Sequence, residues 1–281
     1  MKRLLPLLAL VTAVAPAIAE DSELALAREL TNPFATVINV PINQNPDFGI
    51  GDHNGWRYTL TVQPVIPFAI NREWNIISRT VVPFIYQDSG GRRDSGLGDI
   101  AQSFFLSPTN AADNGWCWGV GPIFLLPTAT EDRFSSDQWG MGPTVGLLKR
   151  SGPWTIGALT NHTWSLGGHE GRSDVNATFL QPFVDYTTES KTTFSVNTES
   201  TYDWTNKQWT VPIHFVIRQL FKIGGQEVSV ALGARYYAEA PDGGPEWGLR
   251  LGLTFVFPKK WGRLEKHPLV EENELKPAVA R

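Results

Sequence analysis

Residues 56–70 read WRYTLTVQPVIPFAI, and their alternation decides the fold class. The even positions Trp56, Tyr58, Leu60, Val62, Pro64, Ile66, Phe68 and Ile70 are all apolar. The odd ones begin Arg57, Thr59, Thr61 and Gln63 and turn apolar only from Val65. Successive side chains of a β-strand point to opposite faces, so this is a strand between two different solvents. The pattern returns at 209–218, where Trp209, Val211, Ile213, Phe215 and Ile217 oppose Thr210, His214 and Arg218. It returns again at 228–236 and 247–257, where Trp247, Leu249, Leu251, Leu253, Phe255 and Phe257 oppose Gly248, Arg250, Gly252 and Thr254. A helical period would scramble every one of these faces.

Working outward, twelve strands are expected: 34–43, 55–70, 74–86, 97–108, 115–126, 138–150, 153–166, 174–187, 192–204, 208–221, 226–239 and 246–257. Those at 97–108, 115–126 and 174–187 alternate poorly. Most exceed the roughly 5–6 residues usual in soluble sheets and suit the roughly 9–11 that cross a membrane as tilted strands. Longer polar connections (44–54, 87–96, 127–137, 167–173) interleave with tight turns, the rhythm of a membrane barrel with short inner turns and longer outer loops. Trp56, Trp139, Trp164, Trp204, Trp209 and Trp247 fall at the outer strand ends. Trp74, Trp116, Trp118 and Trp154 fall at the inner ends, as two interfacial aromatic girdles require. The fold class is therefore all-β: an antiparallel up-and-down transmembrane barrel of about twelve strands, residues 34–257. Prolines within strands (Pro64, Pro67, Pro83, Pro122, Pro143, Pro182, Pro212) each delete a ladder donor and imply bulges or irregular walls.

The chain has 281 residues, with 24 Lys+Arg against 28 Asp+Glu and a net charge of −4. No basic face for nucleic acid follows from that balance. A single cysteine, Cys117, forms no disulfide framework and no thiolate cage for a metal, and no cofactor is expected. Lys2 and Arg3, the apolar run Leu4 to Ala15 and the small residues Ala17-Ile18-Ala19 read as a signal peptide, 1–19, cut after Ala19. Export to the bacterial outer membrane follows. Residues 20–33 carry a helical stretch from Ser22 to Thr31, read either as a plug at the lumen mouth or as surface decoration. Arg250, Gly252, Phe255 and Phe257 resemble the C-terminal signal by which outer-membrane barrels engage their assembly machinery. Residues 258–281 then form a solvated periplasmic tail.

Several blocks resemble one family: Asp47-Phe48-Gly49-Ile50-Gly51, Gly55-Trp56-Arg57-Tyr58-Thr59-Leu60, Gly98-Asp99-Ile100-Ala101-Gln102-Ser103-Phe104-Phe105 and Phe124-Leu125-Leu126-Pro127-Thr128-Ala129-Thr130. Asn197-Thr198-Glu199-Ser200-Thr201-Tyr202-Asp203-Trp204 and Gly233-Ala234-Arg235-Tyr236-Tyr237 continue it. They are similar to the outer-membrane transporters of the "MetA pathway of phenol degradation" family. The resemblance implies a barrel that passes small, often hydrophobic or aromatic compounds, and it brings no catalytic residues.

The strand registers turn Arg57, Arg79, Glu199, Asp203, His214, Arg218, Arg235 and Arg250 inward. Two readings stand: a selectivity lining, or an ion-pair network that stiffens the barrel. The partners expected are outer-membrane lipid, a small solute and the assembly machinery. The alternatives are a structural or adhesive barrel, a soluble sandwich with a tryptophan-rich sugar face, and a lipid hydrolase. That last one would use His162 or His214 with Ser165, Ser195 or Ser200. Asp94, Asp99, Glu131, Asp132 and Asp137 sit near the outer loops without the spacing of a calcium loop.

Overall fold

The computed structural model describes residues 14–257 except 111, 113 and 170; the expected leader residues 1–13 and the tail 258–281 lie outside the described residues. Helix α1 (Val14–Glu29) leads into twelve antiparallel strands, several of them interrupted. These are β1 (Ile38–Ile50), β2 (Gly55–Val62 and Val65–Ala69), β3 (Trp74–Ser89) and β4 (Arg92–Leu97 and Ile100–Pro108). Next come β5 (Trp116–Leu126), β6 (Gln138–Ser151), β7 (Trp154–Gly168) and β8 (Asn176–Thr187). The last four are β9 (Thr192–Thr198 and Ser200–Asp203), β10 (Gln208–Ile223), β11 (Gln226–Glu239) and β12 (Trp247–Phe257).

Each strand pairs with its neighbours in sequence, and β1 pairs with β12 from Ile38↔Phe257 to Phe48↔Trp247, so the sheet closes without an edge. The inner end of the barrel is where β1 begins and β12 ends. The wall obeys the period of two. In β6, Gln138, Gly140, Gly142, Thr144, Gly146 and Leu148 are buried, while Trp139, Met141, Val145 and Leu147 are exposed. Large apolar residues cover the outside, among them Phe84, Ile156, Phe215, Ile217 and Leu232. Surface of that extent and continuity is covered by lipid. Nine of the ten girdle tryptophans are exposed, and Trp74 packs edge-on against Trp118 at 5.7 Å. No helix among the described residues is long and apolar enough to cross a membrane; the strands do so.

Four expectations need correcting. The first strand is not 34–43 but Ile38–Ile50, because Phe34 and Ala35 lie buried inside the barrel and not in its wall. The stretch 44–54, rich in Asn and Asp, looks like a loop. Most of it is strand, in which Asn45 and Asp47 are buried toward the lumen. Likewise 87–96 is not an open loop. β3 and the first part of β4 pair out to Ser89↔Arg92, and only Gly90 and Gly91, both at positive φ, make the turn. The helix also begins earlier than Ser22, at Val14.

Prolines interrupt the ladder where expected. Pro122 faces Pro143 across β5 and β6. The break in β9 falls at Glu199, beside Pro182 of β8 and Pro212 of β10, neither of which has an N–H to give.

Candidate functional site: a charged belt above an inserted N-terminal segment

After α1 the chain turns into the barrel from its inner end. Asn32 makes the turn: its Oδ1 accepts the Phe34 N–H at 3.0 Å and its carbonyl accepts the Ala35 N–H at 3.1 Å. Phe34 then sits in an apolar cluster of Val65, Ile77, Phe105, Leu148, Leu159 and Phe183, all on β2 to β8. Its ring lies 6.1 Å from that of Phe105. Burial of such a ring contributes about 1.5–3 kcal/mol. Outside the cluster, Arg150 donates to Glu29 at 2.5 Å, and Lys191 donates to Glu23 at 2.6 Å with Lys222 at 3.7 Å. The bond from Lys191 holds the Glu23 carboxyl below its ordinary range.

The seat depends on one missing side chain. A Cβ on Gly146 would stand 2.3 Å from the Phe34 ring, and that ring is hemmed in on all sides by the cluster. Gly146→Ala is therefore expected to displace Phe34 while leaving the β6 ladder intact. The check is an increase in sugar flux through reconstituted barrels, with heat-modifiable mobility on gels unchanged.

Above the segment lies a belt of charge. Arg250 grips Glu199 with two N–H groups, both 2.9 Å from its carboxylate oxygens, and gives its Nε–H to Asn45 at 2.8 Å. His214, fully buried, places Nε2 3.8 Å from the same carboxylate. Arg235 pairs with Asp47 at 3.1 Å and donates to the Tyr237 hydroxyl at 2.9 Å. Arg218 donates to Ser195, which in turn donates to Asp185. Arg57 donates to Gln87 at 2.9 Å, and Arg79 reaches Gln63 at 3.4 Å. Of the inward residues expected from the sequence, Asp203 alone is elsewhere: its carboxylate accepts the N–H groups of Thr205 and Asn206 and caps the outer turn. Parity along the strand pointed it inward, but β9 ends at Asp203 and the turn takes its side chain.

Asp47, Asp185, Gln87 and Tyr237 were not singled out by the sequence. Asp47 was hidden by the loop-like reading of 44–54 and Asp185 by the weak alternation of 174–187. For Asp47 the signal was an acidic residue directly across from Arg57; for Asp185 no neighbouring strand carries an arginine, and its partner Arg218 lies two strands away.

The belt divides the lumen. On its outer side is a cavity of about 440 Å³, with Arg79, Gln63, Gln181 and Glu199 as its floor and Val81, Pro83, Ile123, Leu125 and Phe179 in its wall. On its inner side the same four residues roof a pocket of only about 130 Å³, whose far side is Leu30 to Pro33. At the outer mouth, Asp99 accepts the N–H groups of Ala129 and Ser136, and Thr128 bonds Ile100 N–H and Gly98 carbonyl. The Gly98-Asp99 and Pro127-Thr128-Ala129-Thr130 blocks are thus one tie that fixes loop 127–137. Three more of the outer carboxylates are engaged by arginine: Asp94 by Arg92 and Arg133, and Asp132 and Asp137 by Arg172. Hydrogen bonds from Ser135 and Arg172 keep the Asp137 carboxyl below its ordinary range.

The serines that a hydrolase would need are bonded to other groups. Ser165 bonds Asp174, Ser195 bonds Asp185 and Ser200 bonds Thr198, while His162 Nδ1 bonds Thr178.

Comparison with known proteins agrees with this architecture. The fold is similar to an outer membrane channel from Pseudomonas putida F1, with a TM-score of 0.62 at 12% identity over 79% of this chain and 96% of that one. It is similar to the NanC porin, at 0.50 and 16% over 78% and 100%. A dimeric outer membrane phospholipase from Salmonella typhi with bound calcium matches at 0.45 and 12%, over 84% and 97%. No curated protein matches the sequence. The family model described as "Putative MetA-pathway of phenol degradation" matches residues 52–264, the span that holds most of the belt, the outer cavity and the residues around Phe34, and the chain belongs to that family.

Proposed function

We propose that the protein is an outer-membrane channel that lets small solutes, hydrophobic and aromatic compounds among them, diffuse passively through a narrow lumen. The observation that carries this reading is the graded lumen. An outer cavity with an apolar wall narrows to a belt of paired charges, and an inserted segment lies below the belt. Twelve strands suit such a lumen: barrels of about 8 fill with side chains, and those of 16–18 leave an open aqueous pore. In this reading residues 20–35 gate the inner end, and the belt sets which solutes pass. The leader is removed after Ala19. Arg250, Gly252, Phe255 and Phe257 are read by the assembly machinery, and residues 258–281 extend into the periplasm.

Liposome swelling tests it, with refolded protein and a panel of sugars, amino acids and small aromatic acids. Folding is checked by the gel shift between boiled and unboiled samples. Swelling graded by solute size or chemistry is the expected result. A folded barrel that gives no swelling with any solute would overturn passive diffusion through the lumen.

A further inference from the structure

The outer cavity combines two features that do not usually meet by accident. Its wall is largely apolar, from Val81 and Pro83 on β3, Ile123 and Leu125 on β5 and Phe179 on β8, while its floor carries the guanidinium of Arg79. The other charge on that floor, Glu199, is already taken: Arg250 occupies both of its oxygens. Arg79 is different. Its side-chain partner is the amide oxygen of Gln63 at 3.4 Å, whereas Arg218, Arg235 and Arg250 each have a carboxylate within 4 Å. Arg57 also bonds an amide, but it does not line either cavity.

A guanidinium presents a planar fork of donors that matches a carboxylate in two parallel bonds. Arg79 faces a half-enclosed chamber and bonds an amide; among the described residues no carboxylate stands within 4 Å of it, and Glu199 acts on it only from farther off. The chamber, at about 440 Å³, is within the range of small-molecule sites. We propose that it binds an amphipathic monocarboxylate. The carboxylate lies on Arg79, beside the Gln63 and Gln181 amides, and the aromatic or branched apolar body lies against Ile123, Leu125 and Phe179. The lining holds one cation, Arg79, and already carries Glu199, so a second carboxylate on the ligand would be left without a countercharge and dianions bind more weakly. This inference deepens the channel reading and rests on it for the route into the cavity; the binding itself does not require transport.

The experiment is equilibrium dialysis of full-length barrels refolded into lipid nanodiscs, with benzoate, benzyl alcohol and phthalate as probes and empty nanodiscs as background. Benzoate should bind saturably and at least tenfold more tightly than its neutral or dianionic counterpart. Arg79→Gln should lose at least tenfold for benzoate and change benzyl alcohol little, while Arg72→Gln, in an exposed turn outside belt and cavities, keeps wild-type benzoate binding. Equal binding of benzoate and benzyl alcohol by the wild type would overturn the proposal, as would wild-type benzoate affinity in Arg79→Gln. Should Arg79→Gln fail the gel-shift test, the three-probe comparison on the wild type decides alone. Saturable benzoate binding without liposome swelling would sustain this site and sink the channel; swelling without saturable binding would do the reverse.

Discussion

Deleting residues 20–35 is expected to give the largest functional change available in this protein: a several-fold rise in single-channel conductance and in the swelling rate for solutes too large for the intact barrel. The intact inner pocket measures about 130 Å³ and is bounded on its inner side by Leu30, Thr31, Asn32 and Pro33, so any path beyond the belt meets this segment. The deletion removes that boundary and the Phe34 ring together but leaves Ile38, the first residue of β1 and the partner of Phe257, so the wall still closes. The segment is held by one buried ring and a few ion pairs at the rim. Ion pairs at a partly open rim each contribute on the order of 1 kcal/mol, so the ring dominates. Phe34→Ala should therefore reproduce much of the deletion's effect, and Lys191→Ala very little. Conductance unchanged by the deletion would mean that residues 20–35 do not limit flow through the lumen.

The second large effect is on stability. Arg250→Gln leaves the Glu199 carboxylate without the two N–H groups that satisfy it, in a setting where Arg250 is buried and His214 is fully so. Removing one partner of a fully buried pair costs about 3–5 kcal/mol; the Glu199 side chain is 31% exposed to the lumen, so the loss falls at or below the low end of that range. The urea midpoint for unfolding from lipid vesicles should fall accordingly. Glu199→Gln combined with Arg250→Gln should fall less than Arg250→Gln alone, since both charges go together. The single variants separate in selectivity as well. Glu199 borders both cavities, so Glu199→Gln should move the reversal potential in a salt gradient toward anion preference, and Arg250→Gln toward cations. A midpoint within error of wild type for Arg250→Gln would mean that the pair is solvated and does not hold the barrel.

Much of this was legible in the residues, and the failures have physical causes. Strands such as β10, β11 and β12 separate lipid from a polar lumen, and two solvents write a clean alternation. The strands that alternate poorly, 97–108, 115–126 and 174–187, contribute inward residues to the Phe34 seat and the apolar chamber wall: Phe105, Cys117, Ile123, Leu125, Phe179 and Phe183. With apolar groups on both faces, period two disappears from the sequence because both environments are dry. The error at 44–54 has the opposite origin. Asn and Asp are residues of turns in a soluble protein, but in a barrel they serve equally as lumen lining, and propensity alone does not separate the two. The belt's arginines could be placed because an Arg on the lipid face costs about 2–4 kcal/mol at mid-bilayer, which forces it inward. Which carboxylate each arginine meets depends on strands far apart in the chain, such as Asp47 with Arg235, and no local pattern encodes that.

The Phe34 seat also bears on the order in which the barrel is made. Val65, Ile77, Phe105, Leu148, Leu159 and Phe183 all belong to β2 through β8, so the seat is complete in the chain before β9 begins. The seam between β1 and β12, by contrast, joins the two ends of the barrel and is the most non-local pairing in the fold. Non-local pairings form late, because their closure entropy is met before their contacts form. A half-finished sheet can therefore wrap around its own N-terminal phenylalanine first. That gives the growing wall its curvature, and the last strand arrives at a cylinder already nearly round.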